Sequence, residues 1–111
     1  MGHSARDAFR RDLDSLRELT EEKIQAVVAR DSVHLMALVQ AEIDPLSRVH
    51  TSAWILETLS PQEQDEIRGT LEHWASRVQY LADLIETQLG YVDFLRSILG
   101  PIPTHQVSLD L

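Results

Sequence analysis

The chain has 111 residues, which suits one domain, and its composition excludes several classes of protein. A formal net charge of −8 disfavours nucleic acids and anionic membranes as partners, because both carry negative charge themselves. There is no cysteine, which excludes disulfide bonds and thiolate zinc sites. Apolar runs are only a few residues long and the start lacks the apolar stretch of a signal peptide, so we expect no membrane insertion.

The first predicted helix covers residues 5–29. Its apolar residues recur three and four positions apart, which is the spacing of one face of an amphipathic helix. Charged residues occupy most other positions, so the apolar stripe should face the core and the remainder should face solvent. The stripe consists of Phe9, Leu13, Leu16, Leu19 or Thr20, Ile24, and Val27 or Val28.

The second predicted helix covers residues 32–58, with Asp31 or Ser32 as its N-cap. Pro45 lies inside it and predicts a kink near residues 41–45 rather than an end, because the apolar stripe continues in phase. That stripe consists of Leu35, Leu38, Val39, Ile43, Leu46 and Val49. Four further apolar residues should close one end of the core: Trp54, Ile55, Leu56 and Leu59.

The third predicted helix covers residues 61–99 and has the clearest start signal in the chain. Ser60 is an N-cap, Pro61 suits the first helical position, and Glu63 completes a capping box. Gly69 and Gly90 fall on the face opposite the apolar ladder. The ladder, interrupted only at Gln88, consists of Ile67, Leu71, Trp74, Val78, Leu81, Ile85, Val92, Leu95 and Leu99. We expect its members Leu71, Trp74, Val78 and Leu81 to be buried.

These three helices predict an all-α fold, an antiparallel three-helix bundle with a long C-terminal helix. The bundle domain should span residues 1–100, and residues 101–111 should form a flexible tail after the Gly100–Pro101 break.

The apolar face of the third helix widens after Leu81. Thr70 and Arg77 flank the ladder in the first half, whereas the equivalent positions in the second half are Leu84, Tyr91 and Ile98. Two interpretations remain open. The second half contacts both other helices at once, or part of the wide face is left open for a partner helix.

No catalytic or cofactor-binding signature is present. The five histidines lack metal-binding spacing, and there is neither a phosphate-binding glycine loop nor a nucleophile elbow. We therefore expect no enzyme activity, no cofactor and no metal. One enzyme alternative is a small all-α chorismate mutase, which holds a dicarboxylate with several basic side chains. The basic residues Arg17, Lys23, Arg30 and Arg48 do not reproduce the spacing of that family.

The stretch from Leu19 to Leu46 resembles the FlgN family of flagellar type III export chaperones. That family shows a helix ending in an apolar pair, a polar break with an aspartate, and then leucines three and four apart. Here those positions are occupied by Ala26, Val27, Asp31, Leu35 and Leu38. The glycine usual before the aspartate is Arg30, and Pro45 is unusual for the family.

The resemblance implies a small cytoplasmic chaperone that binds the C-terminal helices of hook–filament junction proteins and delivers these clients to the export apparatus. The client contacts of the family lie largely on the C-terminal helix. By position, this implies a partner-binding set of Leu84, Leu89, Tyr91, Val92, Phe94, Leu95, Ile98 and Leu99. The alternative outside this family is a helical homodimer with an adaptor or structural role, which would bury the same wide face against its own copy.

Overall fold

The computed structural model describes the backbone of residues 2–99 and the side chains of residues 4–88. The described part is helical and contains no strand, which confirms the all-α class. Its elements are α1 (Gly2–Val28), α2 (Ser32–Ala41), α3 (Ile43–Thr51), a 3₁₀ helix (Ala53–Thr58) and α4 (Pro61–Leu99). The predicted tail lies outside the described residues.

Helix α1 is the element against which α2, α3 and α4 all pack. Lys23, near its C-terminal end, binds Glu42 at the junction of α2 and α3, whereas Asp12, near its start, binds Arg48 further along α3. The segment formed by α2 and α3 therefore runs antiparallel to α1.

Helix α4 runs in the same direction as α1. Its first turn lies near the start of α1, where Arg10 contacts Glu63. Further along, the Trp74 indole N–H donates to the Thr20 hydroxyl, and the Gln88 amide donates to the carbonyl of Val27. The α2–α3 segment thus returns the chain to the end of the molecule at which α1 begins, and α4 starts there.

The core follows the stripe of α1. The sequence left two choices at two positions of this stripe. Thr20 is the buried residue of the pair Leu19 and Thr20, and Val27 is the buried residue of the pair Val27 and Val28, since Val28 is 59% exposed. One cluster lies at the N-terminal end of α1 and comprises Phe9, Leu13, Ile55, Leu59 and Ile67. A second lies at the other end and comprises Ile24, Val27 and Leu81.

The turn between α1 and α2 is closed by backbone and side-chain capping. Arg30 N–H donates to the carbonyl of Val27 and Asp31 N–H to that of Ala26, the pairing of a Schellman motif. This motif places Arg30 at φ 57°, in the left-handed region that favours glycine. Asp31 then caps α2, because its carboxylate accepts the N–H of His34 at 3.0 Å.

The second predicted helix is interrupted at Glu42, within the segment where a kink was predicted. Pro45 is the third residue of α3. Backbone N–H groups in the first turn of a helix have no acceptor within that helix, so the N–H that proline lacks is not needed there. Leu38, Pro45 and Val49 face inward. The predicted burial of three other stripe residues is wrong because they lie beside this inward face: Val39, Ile43 and Leu46 are 36%, 59% and 46% exposed.

The 3₁₀ helix closes one end of the core, as predicted for Ile55 and Leu59, which are buried. Trp54 was predicted to join them, but it is 59% exposed, because the tighter 3₁₀ turn directs Ile55 inward and its neighbour outward.

The ladder of α4 is buried only in part. Ile67 and Leu81 are buried, and Leu71 and Trp74 are partly buried against the core. The predicted burial of Val78 is wrong: it is 41% exposed, and Ile85 is 36% exposed. The physical reason is that α4 packs mainly on α1 alone, so only the side of the ladder that faces α1 is covered. Gly69 is on the outer face as predicted, since a Cβ there would meet no atom within 4 Å.

The capping box of α4 gives the first testable prediction. Glu63 N–H donates to the Ser60 hydroxyl, and Ser60 N–H donates to the Glu63 carboxylate, each at 3.2 Å. Ser60→Ala should lower the free energy of unfolding by about 1 kcal/mol, the usual contribution of an N-cap. Urea denaturation measures it. Ser76→Ala, at an exposed interior position of the same helix, is the control and should not destabilise. An equal response of the two variants would contradict a capping role.

Candidate partner-binding surface

Among the described side chains, no group of three His, Cys, Asp or Glu residues could hold a metal ion, and no buried polar side-chain atom is left without a hydrogen-bond partner. No helix in this part of the chain is long and apolar enough to cross a membrane. Several large apolar side chains of the described part are exposed to solvent.

The basic side chains near the centre of the molecule are engaged in ion pairs. Lys23 binds Glu42 at 2.6 Å and Arg48 binds Asp12 at 3.0 Å, on the side of α1 that faces α2 and α3. Arg17 binds Asp14 within α1. Lys23, Arg48 and Arg17 thus each have a carboxylate partner.

A charged contact fixes α4 on the other side of α1. Arg77 donates two hydrogen bonds to the Glu21 carboxylate, at 2.8 and 2.9 Å, and lies over the ring of Tyr80 at 4.9 Å from its centre. These hydrogen bonds lower the pKa of Glu21 and raise that of Arg77. Both side chains are partly solvated, so the pair contributes little to the free energy of unfolding.

A buried hydrogen bond reinforces that rotation. The Thr20 hydroxyl accepts the Trp74 indole N–H at 2.9 Å and donates to the carbonyl of Leu16 at 2.9 Å. Thr20 is 1% exposed, so this polar group sits inside the apolar stripe with both of its hydrogen bonds made. Hydrophobic periodicity alone does not predict that Thr20, rather than Leu19, is the buried residue. The indole N–H of Trp74, which binds the Thr20 hydroxyl, explains why the threonine is buried.

The predicted partner-binding residues begin at Leu84 and continue to Leu99. Leu84 is partly buried against the cluster of Ile24, Val27 and Leu81, so the core covers part of its side chain. The other seven lie outside the described side chains: Leu89, Tyr91, Val92, Phe94, Leu95, Ile98 and Leu99. Their backbone belongs to α4.

Helix α4 continues past the end of α1. The Gln88 side chain reaches the carbonyl of Val27, one residue before α1 ends at Val28. From Gln88 the α4 backbone continues to Leu99, about 16 Å further at the rise of an α-helix. The long dimension of the molecule, 60 Å, is accordingly close to the length of α4 alone.

Four apolar side chains outside the predicted partner-binding set are partly exposed. They are Val39 and Leu46 on the α2–α3 segment, and Val78 and Ile85 on α4. The α4 ladder is narrow before Leu81 and packs mainly on α1, so the flank of the ladder that does not face α1 remains partly exposed.

No family model matches the chain, and no curated protein or solved structure shows a significant match to it.

The Thr20–Trp74 hydrogen bond gives a prediction that a double-mutant cycle tests. Thr20→Val removes the hydroxyl and leaves the Trp74 N–H without its acceptor, so it should lower the free energy of unfolding by about 1–3 kcal/mol. In a Trp74→Phe background the same substitution should cost about 1 kcal/mol less, because the N–H is already absent. Urea denaturation measures all four proteins. Strict additivity would show that the two groups do not interact.

The lowered pKa values of two glutamates give a prediction of how stability depends on pH. Hydrogen bonds from Arg77 lower the pKa of Glu21, and those from Ser60 lower the pKa of Glu63, below the ordinary value of 4.5. A carboxyl with a lowered pKa in the folded state stabilises the fold above its unfolded pKa, and this contribution is lost as the pH falls below that value. Glu21→Gln and Glu63→Gln should each reduce the loss of stability between about pH 6 and about pH 3.

Denaturation at several pH values makes that comparison. Glu72→Gln is the control, because no ion pair is made by Glu72 within the described part of the chain. A pH profile that the first two substitutions leave unchanged would contradict the prediction.

Proposed function

We propose that this protein is an antiparallel three-helix bundle that acts as a cytoplasmic export chaperone of the FlgN type. It would bind a helical C-terminal segment of a flagellar hook–filament junction protein, keep that client unassembled, and deliver it to the export apparatus. The C-terminal part of α4 would hold the client.

The observation that carries the proposal is the difference in length between α1 and α4. The helix of α4 continues beyond Val28, the last residue of α1, and this continuation carries the apolar sequence of Tyr91, Phe94 and Ile98. A stretch of helix with apolar residues three and four apart is suited to pairing with a client helix of the same pattern.

The turn after α1 adds support from the residues that carry the family resemblance. Ala26 and Val27 are buried at the end of α1, and Asp31 caps α2. Arg30 occupies the position where the family usually has glycine, and its φ of 57° is a conformation that glycine adopts without strain. The Gly–Asp pattern of the family thus suits a turn in which the residue before the aspartate has a positive φ, as Arg30 has in this chain.

The test is calorimetric titration with C-terminal peptides of hook–filament junction proteins. Phe94→Ser with Ile98→Ser should weaken binding at least tenfold, because a few apolar anchors dominate helix-in-groove affinity. The matched control is Val33→Ser with Met36→Ser, which removes two exposed apolar side chains from α2. That variant should bind as the unchanged chain does.

Circular dichroism and solution mass complete the test. A folded Phe94/Ile98 variant that binds as tightly as the unchanged chain would contradict the proposed site. Loss of the fold in that variant would show that these side chains belong to the core. A dimer that this variant converts to monomer would instead favour the helical homodimer.

A further inference from the structure

We propose that the solvent-facing side of α2 is a self-association surface, which packs antiparallel against α2 of a second copy of this chain. The proposal does not rest on the proposed chaperone function. The surface is also separate from the wide face of α4, through which the homodimer considered above would form.

Helix α2 carries no charge. Although 25% of the chain is charged, Ser32–Ala41 contains no Asp, Glu, Lys or Arg. Apolar side chains occur on every side of this helix, and a helix that is apolar all round is normally buried all round. The apolar residues are Val33, Leu35, Met36, Ala37, Leu38, Val39 and Ala41.

The described chain covers only one side of α2. Leu38 is buried, and Leu35 is partly buried against the core cluster that contains Ile24, because this side faces α1. On the opposite side, Val33 is 81% and Met36 57% exposed. The helical period places four exposed residues of this uninterrupted helix on that side. We call this set the outer face of α2: Val33, Met36, Ala37 and Gln40.

The absence of charge indicates what covers the outer face. A partner that brought charged groups to this face would leave them buried without a counter-charge, which is costly. A second copy brings the same uncharged face. Every other helix in the described part contains charged residues, so α2 is the helix of that part on which two chains of net charge −8 can meet without charges at the contact.

The carboxylates that flank α2 are already engaged. At its start, the Asp31 carboxylate accepts the N–H of His34 at 3.0 Å. At its end, Glu42 binds Lys23 at 2.6 Å, and both side chains are largely covered. The outer face can therefore be approached without opposing these two carboxylates to those of a second copy.

The outer face is complementary to itself in an antiparallel pair. Two copies of one surface meet around a two-fold axis. With that axis between residues 36 and 37, Met36 lies opposite Ala37 of the second copy, and Val33 lies opposite Gln40. A large side chain then faces a small one, which suits the 8–10 Å separation of packed helices. Antiparallel helices also oppose their dipoles favourably.

The size of α2 limits the strength of the pair. Ten residues of helix extend about 15 Å, so the contact falls below the roughly 1,200 Å² of a standard interface. Interfaces of that size are typical of weak and reversible complexes. We therefore expect a dissociation constant on the order of 100 µM.

Sedimentation equilibrium of the full chain tests the proposal, at concentrations from about 10 µM to about 1 mM. The average mass should rise with concentration from 12.6 kDa toward twice that value. Added salt should strengthen the association severalfold. The reason is that salt screens the repulsion between two copies of net charge −8 and leaves the apolar contact in place.

Variants locate the contact, with circular dichroism to verify that each is folded. Val33→Ser with Met36→Ser should weaken association at least tenfold. Val78→Ser with Ile85→Ser removes two partly exposed side chains from α4 and should leave it unchanged. Phe94→Ser with Ile98→Ser should also leave it unchanged, so this proposal and the proposed client site can fail separately.

A charge-swap experiment tests whether two copies meet at residue 36. Met36→Lys alone and Met36→Glu alone should both be monomeric, because like charges would meet near the two-fold axis. An equimolar mixture of the two should associate at least tenfold more tightly than either alone. Trp54→Lys mixed with Trp54→Glu is the matched control, at a residue that is 59% exposed elsewhere, and should show no such gain.

Four results would overturn the proposal. A mass of 12.6 kDa at every concentration would leave the outer face to a different partner. A dimer that persists in the folded Val33/Met36 variant, or one that either α4 double substitution dissociates, would place the contact elsewhere. A charge-swap mixture that associates no better than its components would exclude contact between the two copies at residue 36.

Discussion

The structure depends on the apolar stripe of α1, which is covered from two sides at once. Leu13, Leu16 and Thr20 are 1–2% exposed because the α2–α3 segment covers one flank of the stripe and α4 covers the other. Within the described chain α4 packs mainly on α1, so the apolar side chains Val78 and Ile85 on its other flank remain partly exposed.

The polar contacts decide how each neighbour is rotated on that stripe. Hydrophobic packing is non-directional, so it brings α4 onto α1 without selecting one face of a narrow ladder. The Trp74–Thr20 hydrogen bond favours one face, because it requires that flank of α4 to face α1, and the Arg77–Glu21 pair lies on the same side. Val78 and Ile85 are then left partly exposed, although they belong to the same ladder as the buried Leu81.

Local signals in the sequence were sufficient to predict where the helices begin and bend, but not which of their side chains are buried. The capping box at Ser60 and the N-cap of α2 depend only on neighbours in the chain. The first was predicted, and the second was predicted as Asp31 or Ser32, of which Asp31 is the cap. The kink before Pro45 follows from the chemistry of proline and was predicted as well. The exposure of Val78 and Trp54 depends on which helix lies opposite, which periodicity does not specify. The side chains of the predicted client-binding residues after Gln88 lie outside the described part.

The difference in length between α1 and α4 separates two parts of α4. Beside α1, Trp74 and Leu81 pack with residues of the α1 stripe, while Val78 and Ile85 remain partly exposed. The backbone of α4 then continues from Gln88, which reaches the carbonyl of Val27, to Leu99. A client helix on residues 89–99 would pair with the apolar pattern of that continuation, so the matching pattern of the client itself would decide its affinity.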